Sequence, residues 1–368
     1  MADAITTDQS HEPAQSPGRA QLDEVTGSEE LSNSLLKMVT PKGTPAGRVV
    51  GGSASEIANA VARERYELED RRDPPPIPNG WYSILSSNQL VVGQVESIIA
   101  VARELVVYRD ESEVAHVIAA HCPHLGAHLG GGHVRGENIE CPYHGWRFGP
   151  DGTCVEIPYS EARIPSKACV PTYPTCEQDG FIFFWYHASG RPPAYEIPRL
   201  EEFDDQEWSA AYPWRYELTA ALQEMAENNV DYAHLKYVHR RQYVPSDTSV
   251  FKTDGPFSTV VETLPDGTDF DRHTWGPGIA LLRVPNLMTV YTTTTPIDRR
   301  HCRLDWHFYF ARHAESMSEM MIEGVTGGYG LMADVPIWRD KVFFEQPLLV
   351  KADGNIAEFR RWYSQFYS

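Results

Sequence analysis

The sequence has 368 residues, 42% of them hydrophobic, with a formal net charge of −19 and a pI near 5.1. This length suits about two domains of roughly 100 to 200 residues each, and the acidic charge excludes nucleic acid or an anionic membrane surface as the main partner. No apolar run approaches a membrane span of roughly 18 residues or the core of a signal peptide, so we expect a soluble, cytoplasmic protein without a transmembrane segment.

The first part of the chain has the composition of a disordered segment. It is rich in Ser, Thr, Glu, Gly and Pro and has few large apolar side chains, so it cannot bury enough surface to offset chain entropy. Within it, residues 56–68 favour one short helix capped by Ser53 or Ser55. We therefore predict that residues 1–75 form a disordered tail and linker.

A pattern of short strands begins at Trp81. Apolar runs at residues 97–101, 105–108 and 114–118 alternate with charged turns, which predicts a small antiparallel β-sandwich. Residues 180–186 read as a core strand, and the first domain should close near Gly190. We assign residues 76–190 to this domain and residues 191–368 to a second one.

Two short loops in the first domain each offer one thiolate and one imidazole. They are Cys122-Pro-His124 and Cys141-Pro-Tyr-His144, with a glycine-rich stretch between them. Two cysteines on one iron and two histidines on the other are the ligands of a Rieske [2Fe–2S] cluster, an electron relay of raised reduction potential. The other four cysteines are expected to be free thiols in a reducing compartment: Cys154, Cys169, Cys176 and Cys302.

Two other interpretations of these loops are weaker. A structural zinc site favours cysteine pairs about two to four residues apart, which is not this pattern. A phosphate-binding loop would end in Gly-Lys-Ser or Gly-Lys-Thr, and this stretch does not.

A second centre is indicated by His234 and His239 in a segment of helical propensity. Five residues turn an ideal helix by about 500°, which leaves the two side chains about 140° apart. For both to bind one ion, the helix must either widen by a π-bulge or end between them. The alternative is two unrelated histidines.

Two histidines and one carboxylate form the facial triad of a non-haem Fe(II) oxygenase. The late carboxylates that could complete it are Asp334, Asp340, Glu345 and Asp353. Asp334 is favoured because it begins a short amphipathic segment, Asp334-Val-Pro-Ile-Trp338. The competing interpretation is a helix N-cap before Pro336.

The rest of the second domain reads as strands followed by one helix. Residues 260–270, 279–297 and 303–310 are β-rich, which predicts a curved antiparallel sheet and an α+β fold. Five apolar residues are expected either to line a wide apolar cavity or, at alternate positions, to form core: Leu281, Leu282, Val284, Leu287 and Val290. The aromatic, amphipathic stripe of residues 356–367 is expected to be core.

Together the motifs resemble a known family over nearly the whole chain after the tail. The two loops are followed by Asn228-x2-Asp231-x2-His234-x4-His239 and a late aspartate. This order is similar to the oxygenase component of the Rieske non-haem iron oxygenases. Residues 121–128, 139–146, 184–187, 334–338 and 361–367 resemble its steroid and sterol branch, which includes 3-ketosteroid 9-alpha-hydroxylase and cholesterol 7-desaturase.

The resemblance implies further features. It implies a helix-grip catalytic domain, a ring-shaped homotrimer, Asp334 as the third iron ligand, and catalytic roles for Asn228 and Asp231. Because cluster and iron would be too distant within one chain, Asp231 is expected to link His234 to His124 or His144 of the next subunit. Its carboxylate would accept the free ring N–H of His234.

We therefore expect a terminal oxygenase that hydroxylates or desaturates a steroid or sterol with O2. No flavin or nicotinamide motif occurs in the sequence, so the electrons should come from a separate reductase or ferredoxin that uses NAD(P)H. The alternatives are an aromatic-ring hydroxylase or O-demethylase, and a Rieske electron carrier without its own substrate.

Overall fold

The structure is a computed structural model that describes residues 74–242, 249–263, 267 and 269–368. The predicted tail and linker lies outside the described residues except for Pro74 and Pro75, and so does the helix predicted at residues 56–68. Within the described ranges, no helix is long and apolar enough to cross a bilayer.

The N-terminal domain consists of three antiparallel sheets, in the orders β2-β3-β4-β9, β1-β11-β10 and β5-β6-β7-β8. The predicted strands are present, and all six residues of the last one are buried because it lies between two layers. The strands are β1 (Gly80–Ser86), β2 (Val95–Ala100), β3 (Arg103–Arg109), β4 (Ala115–Ala119), β5 (His133–Arg135), β6 (Asn138–Glu140), β7 (Arg147–Phe148), β8 (Cys154–Glu156), β9 (Thr172–Tyr173), β10 (Thr175–Gln178) and β11 (Phe181–Tyr186).

The second domain is built on one seven-stranded antiparallel sheet with the order β12-β18-β17-β16-β15-β14-β13. The predicted β-rich stretch 279–297 is a hairpin, which turns near Asn286 at a positive φ of 57°. The strands are β12 (Tyr212–Thr219), β13 (Ser249–Asp254), β14 (Phe257–Thr263), β15 (Asp269–Trp275), β16 (Ile279–Val284), β17 (Met288–Pro296) and β18 (His301–Phe310).

Among the described residues, five α-helices follow or interrupt these strands, and all five lie in the second domain. They are α1 (Leu222–Glu227), α2 (Tyr232–Tyr237), α3 (Ser318–Thr326), α4 (Leu331–Asp340) and α5 (Ile356–Tyr363). Short 3-10 turns lie at Ser87–Gln89, Leu129–Gly131, Glu201–Phe203, Arg312–Met317, Lys351–Asp353 and Ser364–Phe366. The α+β class is confirmed.

The seven-stranded sheet is covered on both faces. Leu281 packs with Phe181 of the N-terminal domain, whereas Leu282 packs with Phe308 and Met321 on the helical side. Successive side chains of a strand point to opposite faces, so the five apolar residues considered for one cavity cannot all line it. Four of them are core, and only Leu282 remains partly exposed.

A buried polar joint ties the two domains together. Arg303 donates to the carbonyl oxygens of Ser83 at 3.1 Å and Ile84 at 2.9 Å. Its charge is balanced by Asp305, which also accepts from Arg215. These bonds attach the longest strand of the second domain to β1.

The final helix is core, as the stripe predicted. Phe359, Tyr363 and the following Phe366 are buried against Val230 and Tyr232. This packing supports the segment that carries His234.

Candidate functional site

The two cysteine loops share one backbone design. The N–H of Gly126 donates to the Cys122 carbonyl at 3.0 Å, and the N–H of Gly145 donates to the Cys141 carbonyl at 3.0 Å. Both glycines have positive φ, 76° and 70°, a conformation that other residues adopt only with strain. The two loops therefore form the same turn, and each turn carries one cysteine and one histidine.

The side chains of these two turns form a donor set that fits a Rieske cluster. Cys122 and Cys141 are each only 3% exposed, while the His124 and His144 rings lie 4.8 Å apart. The His124 ring stacks on Trp146 at 4.6 Å. Burial raises the pKa of the Cys122 thiol to about 11, and the neighbouring Cys141 adds to this. Two adjacent buried thiols are stabilised as thiolates by metal, which couples cluster binding to proton release.

The helix α2 ends between His234 and His239, which is one of the two predicted possibilities. It stops at Tyr237, and the next turn widens because the His239 N–H reaches back to the His234 carbonyl at 3.4 Å. Arg240 follows with a positive φ of 61°. The two imidazole rings therefore approach to 4.8 Å between centroids, which a regular helix does not allow.

Asp334 completes a group of three possible ligands. One ligand atom from each of His234, His239 and Asp334 lies within 4.8 Å of the others, the only such group among the residues that the structure describes. His239 Nε2 lies 3.3 Å from Asp334 Oδ2. This donor set and its closeness fit a 2-His-1-carboxylate iron site.

Hydrogen bonds to the far side of each ring orient the histidines. His239 Nδ1 contacts the Tyr329 carbonyl at 2.9 Å, and His234 Nδ1 contacts the Asp231 carbonyl. A ring that donates from Nδ1 leaves Nε2 free to bind a metal. Burial also lowers the pKa of His234, although the Asp334 charge opposes it, and this favours the neutral form that binds metal.

Asp334 is neither a helix N-cap nor the first residue of its helical segment, so both of these expectations are wrong. The helix α4 begins at Leu331 with Gly330 as N-cap, so Asp334 lies inside it. The three rival carboxylates lie apart from the histidines. Asp340 pairs with Arg339, Asp353 accepts the Val350 N–H, and Glu345 is exposed.

Asp231 and Asn228 lie beside this group. Asp231 is the N-cap of α2, where its carboxylate accepts the His234 main-chain N–H at 3.2 Å. Its Oδ1 is 3.9 Å from His234 Nδ1, so the main-chain carbonyl, and not the carboxylate as expected, contacts the ring nitrogen. Asn228 is the C-cap of α1. The catalytic roles of both residues stay predictions.

Sequence reasoning missed the contribution of Tyr329. It acts through its main-chain carbonyl, which every residue has, so no side-chain pattern could identify it. Asn229 was also missed; its amide donates to Thr274 Oγ1 at 3.5 Å and joins the α1–α2 turn to β15.

Comparison with protein families gives two matches that together cover most of the described chain. Residues 80–174 match the Rieske [2Fe-2S] domain, and residues 184–367 match the 3-ketosteroid 9alpha-hydroxylase C-terminal domain. The cluster is therefore that of a Rieske domain, which excludes the zinc interpretation.

Several characterised proteins are similar along most of their length. Cholesterol 7-desaturase of Caenorhabditis elegans is 33% identical, over 80% of this chain and 78% of that protein. The Xenopus laevis cholesterol 7-desaturase nvd is 32% identical, over 86% and 77%. The oxygenase component of Rhodococcus rhodochrous 3-ketosteroid-9-alpha-monooxygenase is 27% identical, over 78% and 82%.

Solved structures share the fold at lower identity. Dicamba monooxygenase bound to dicamba is 19% identical with a TM-score of 0.62, covering 78% of this chain and 97% of that one. NdmB of Pseudomonas putida CBB5 is 22% identical with a TM-score of 0.65, covering 77% and 89%. With the matches above, these establish that the chain belongs to the Rieske non-haem iron oxygenases, within the group that includes cholesterol 7-desaturases and 3-ketosteroid 9-alpha-monooxygenase oxygenase components.

Proposed function

We propose that this chain is the terminal oxygenase of a multicomponent system that uses O2 to hydroxylate or desaturate a steroid or sterol. One observation carries the proposal: ligand atoms of His234, His239 and Asp334 lie within 4.8 Å of one another in a chain that also contains a Rieske domain. An electron carrier alone has no use for the second group.

Each metal group is assigned to named residues. Cys122, His124, Cys141 and His144 hold the [2Fe–2S] cluster. His234, His239 and Asp334 would hold one Fe(II), which would supply the chemistry of O2 activation. The Tyr329 and Asp231 carbonyls fix the two imidazoles, so that their metal-facing nitrogens stay aligned.

Electrons enter from outside the chain. The donor is a separate reductase or ferredoxin that draws on NAD(P)H, a role supported by the similarity to an oxygenase component. The active form is a homotrimer, in which the cluster of one subunit serves the iron of the next. Asp231 carries that link, since its partly exposed carboxylate stands beside the His234 imidazole.

The substrate class is supported by relatives named for cholesterol and for 3-ketosteroids. On the helical face of the large sheet, Leu282 is partly exposed, whereas Val290 and Phe308 beside it are core. Burying a ring skeleton against apolar side chains contributes about 25 cal/mol per Å² of apolar area. Hydroxylation and desaturation both begin with removal of hydrogen from a C–H bond, so either outcome suits the same residues.

The decisive test is turnover by the purified, iron-loaded protein with a reductase and NAD(P)H. Sterols, 3-ketosteroids and simple arenes are compared by mass spectrometry of the products. Oxidation of at least one steroid or sterol at a rate well above that of every arene supports the proposal. Turnover of arenes alone would refute it, and Asp340→Ala serves as a control that leaves the iron ligands intact.

A further inference from the structure

Residues 342–350, the apolar segment, follow α4 closely and form neither a helix nor a strand. Leu348 in this segment is 97% exposed, the highest value among the large apolar side chains that the structure describes. Phe344 and Val350 are 65% and 64% exposed, and Val342 is also exposed. Single exposed apolar residues are ordinary, but several in one short stretch are typical of a surface that another element covers.

Both ends of the apolar segment are fixed. At its start, the Arg360 guanidinium lies 4.7 Å from the centre of the Phe343 ring and donates to the Phe344 carbonyl. At its end, the Val350 N–H donates to the Asp353 carboxylate at 2.7 Å. Defined contacts therefore hold the segment in place while its large apolar side chains remain exposed.

The chain that precedes the described residues arrives at the same place. Pro74, the first described residue, lines one small cavity together with Trp338 of α4, Lys341 and Phe343. Pro74 is buried, and its carbonyl accepts from Arg299. The 73 residues before Pro74 therefore join the second domain beside the start of the apolar segment.

The short helix predicted at residues 56–68 is close to this point along the chain. These residues lie outside the described part, and their sequence places Ile57, Val61 and Leu68 on one face of a helix. Leu68 comes six residues before Pro74, so an extended connection spans up to about 20 Å. A helix over residues 56–68 is itself about 20 Å long. The predicted helix is therefore within reach of the apolar segment.

The charges on the two partners also match. The apolar segment contains one charged residue, the exposed Glu345, and the exposed Lys351 follows it directly. The predicted helix has one charge of each sign at its apolar face, Glu64 within the face and Arg65 at its edge. Each side thus offers one acid and one base, so that the charges can pair at the rim instead of facing an apolar surface alone.

We propose that the apolar segment is the docking surface for residues 56–68 of the same chain. The apolar face of the helix covers Phe344 and Leu348, while Glu64 and Arg65 stay at the rim. A tethered segment reaches an effective concentration in the millimolar range when its linker is short, so it occupies this surface ahead of a second copy or a bilayer. The inference goes beyond the proposed function and does not depend on it.

Limited proteolysis of the full chain with trypsin tests the docking, because Arg63 and Arg65 lie within the predicted helix. Mass spectrometry gives the rate of cleavage after these two residues. The double change Phe344→Ser and Leu348→Ser should raise that rate by about tenfold or more, since a docked helix is cut only after it leaves the surface. Ile57→Ser with Val61→Ser should raise it equally, and all four changes together should add little further, because both pairs remove the same contact.

Val91→Ser is the matched control. Val91 is 64% exposed, like Phe344 and Val350, but it lies between β1 and β2 in the N-terminal domain. The variant should therefore be cleaved after Arg63 and Arg65 at the parent rate.

A cross-link measures the contact itself. With the exposed Cys169 changed to Ser, Val61→Cys and Leu348→Cys should be joined by a short bismaleimide within one chain, which keeps the mass of a monomer on a denaturing gel. Val61→Cys paired with Val91→Cys should not be joined.

Three results would overturn the inference. The first is equal cleavage of the parent and of the Phe344→Ser and Leu348→Ser variant. The second is a cross-link that joins two chains, which would assign the surface to a second copy. The third is sedimentation of the parent with phosphatidylcholine vesicles that Leu348→Ser abolishes, which would assign the surface to a bilayer.

Discussion

Nε2 of His239 lies 3.3 Å from Oδ2 of Asp334. His239 follows the end of α2 and Asp334 lies inside α4, so the contact brings together two separate helical segments. His234 joins them because the turn after Tyr237 widens. If this group is the iron site, His239→Ala and Asp334→Ala should each lose the mononuclear iron and keep the cluster.

Metal analysis and EPR test that prediction. The parent should hold about three irons per chain, two in the cluster and one outside it, and each variant about two, with an unchanged signal from the reduced cluster. Asp340→Ala is the control, since Asp340 belongs to the same helix but is exposed and paired with Arg339. Full iron content in Asp334→Ala would show that another group binds the third iron.

Cys122→Ser and Cys141→Ser should have the reverse effect. Each removes one buried thiolate, so the visible absorption and EPR signal of the cluster should disappear while the mononuclear iron stays. Cys169 is exposed and lies outside the two loops, so Cys169→Ser should retain the cluster. A cluster that survives in Cys122→Ser would contradict the ligand assignment.

Asp231→Asn should retain both metals and the fold but lose most product formation. Asparagine is as good an N-cap as aspartate, and the carbonyl that contacts His234 Nδ1 is unchanged, so only the carboxylate is removed. The rate at which substrate and O2 reoxidise the reduced cluster should fall together with turnover. Reoxidation at the parent rate would show that Asp231 is not the electron link. Asp231→Ala should in addition lose about 1 kcal/mol of stability, because it removes the cap.

His307 should make the protein less stable in acid. It stacks on Phe181 at 4.1 Å between the domains, and burial lowers its pKa to about 4. The unfolded chain, with an ordinary pKa near 6.5, then binds more protons between these values, so stability falls as pH falls from about 6.5 towards 4. At pH 5 the loss relative to pH 7 is about 2 kcal/mol.

Thermal unfolding at pH 7 and pH 5 measures this effect. His307→Phe should lose less stability between the two pH values than the parent does, whereas the exposed His313, changed to Gln, should behave as the parent. An identical pH dependence in His307→Phe and the parent would contradict the assignment.

Local patterns predicted the parts of the molecule that depend on neighbours in sequence. The Cys-Pro loops, the strands β2 to β4 and the aromatic face of α5 each follow from a short motif or a repeat of apolar residues. The break in α2 between His234 and His239 was also predictable. Two histidines five residues apart can bind one ion only if the helix widens or ends between them.

Other features depend on long-range contacts and could not be predicted. The Tyr329 carbonyl, the Arg303 bonds to β1 and the separation of Leu281 from Leu282 are set by how the two domains pack. The amphipathic segment from Asp334 to Trp338 favoured Asp334 as the third ligand. Its position inside α4 could not be predicted, because that helix begins three residues earlier, at Leu331.

The central claim is that the Rieske cluster of this protein supplies an electron for O2 chemistry on a steroid at the site formed by His234, His239 and Asp334. A single-turnover experiment tests it most directly: the protein is reduced, freed of reductant, and mixed with O2 and a steroid panel in the absence of reductase. Freeze-quench EPR follows the cluster while mass spectrometry follows the steroid. We predict that the cluster is oxidised as an oxidised steroid appears, and that Asp334→Ala forms no product. Complete oxidation of the cluster without any steroid product, or product from Asp334→Ala at the parent yield, would contradict the account.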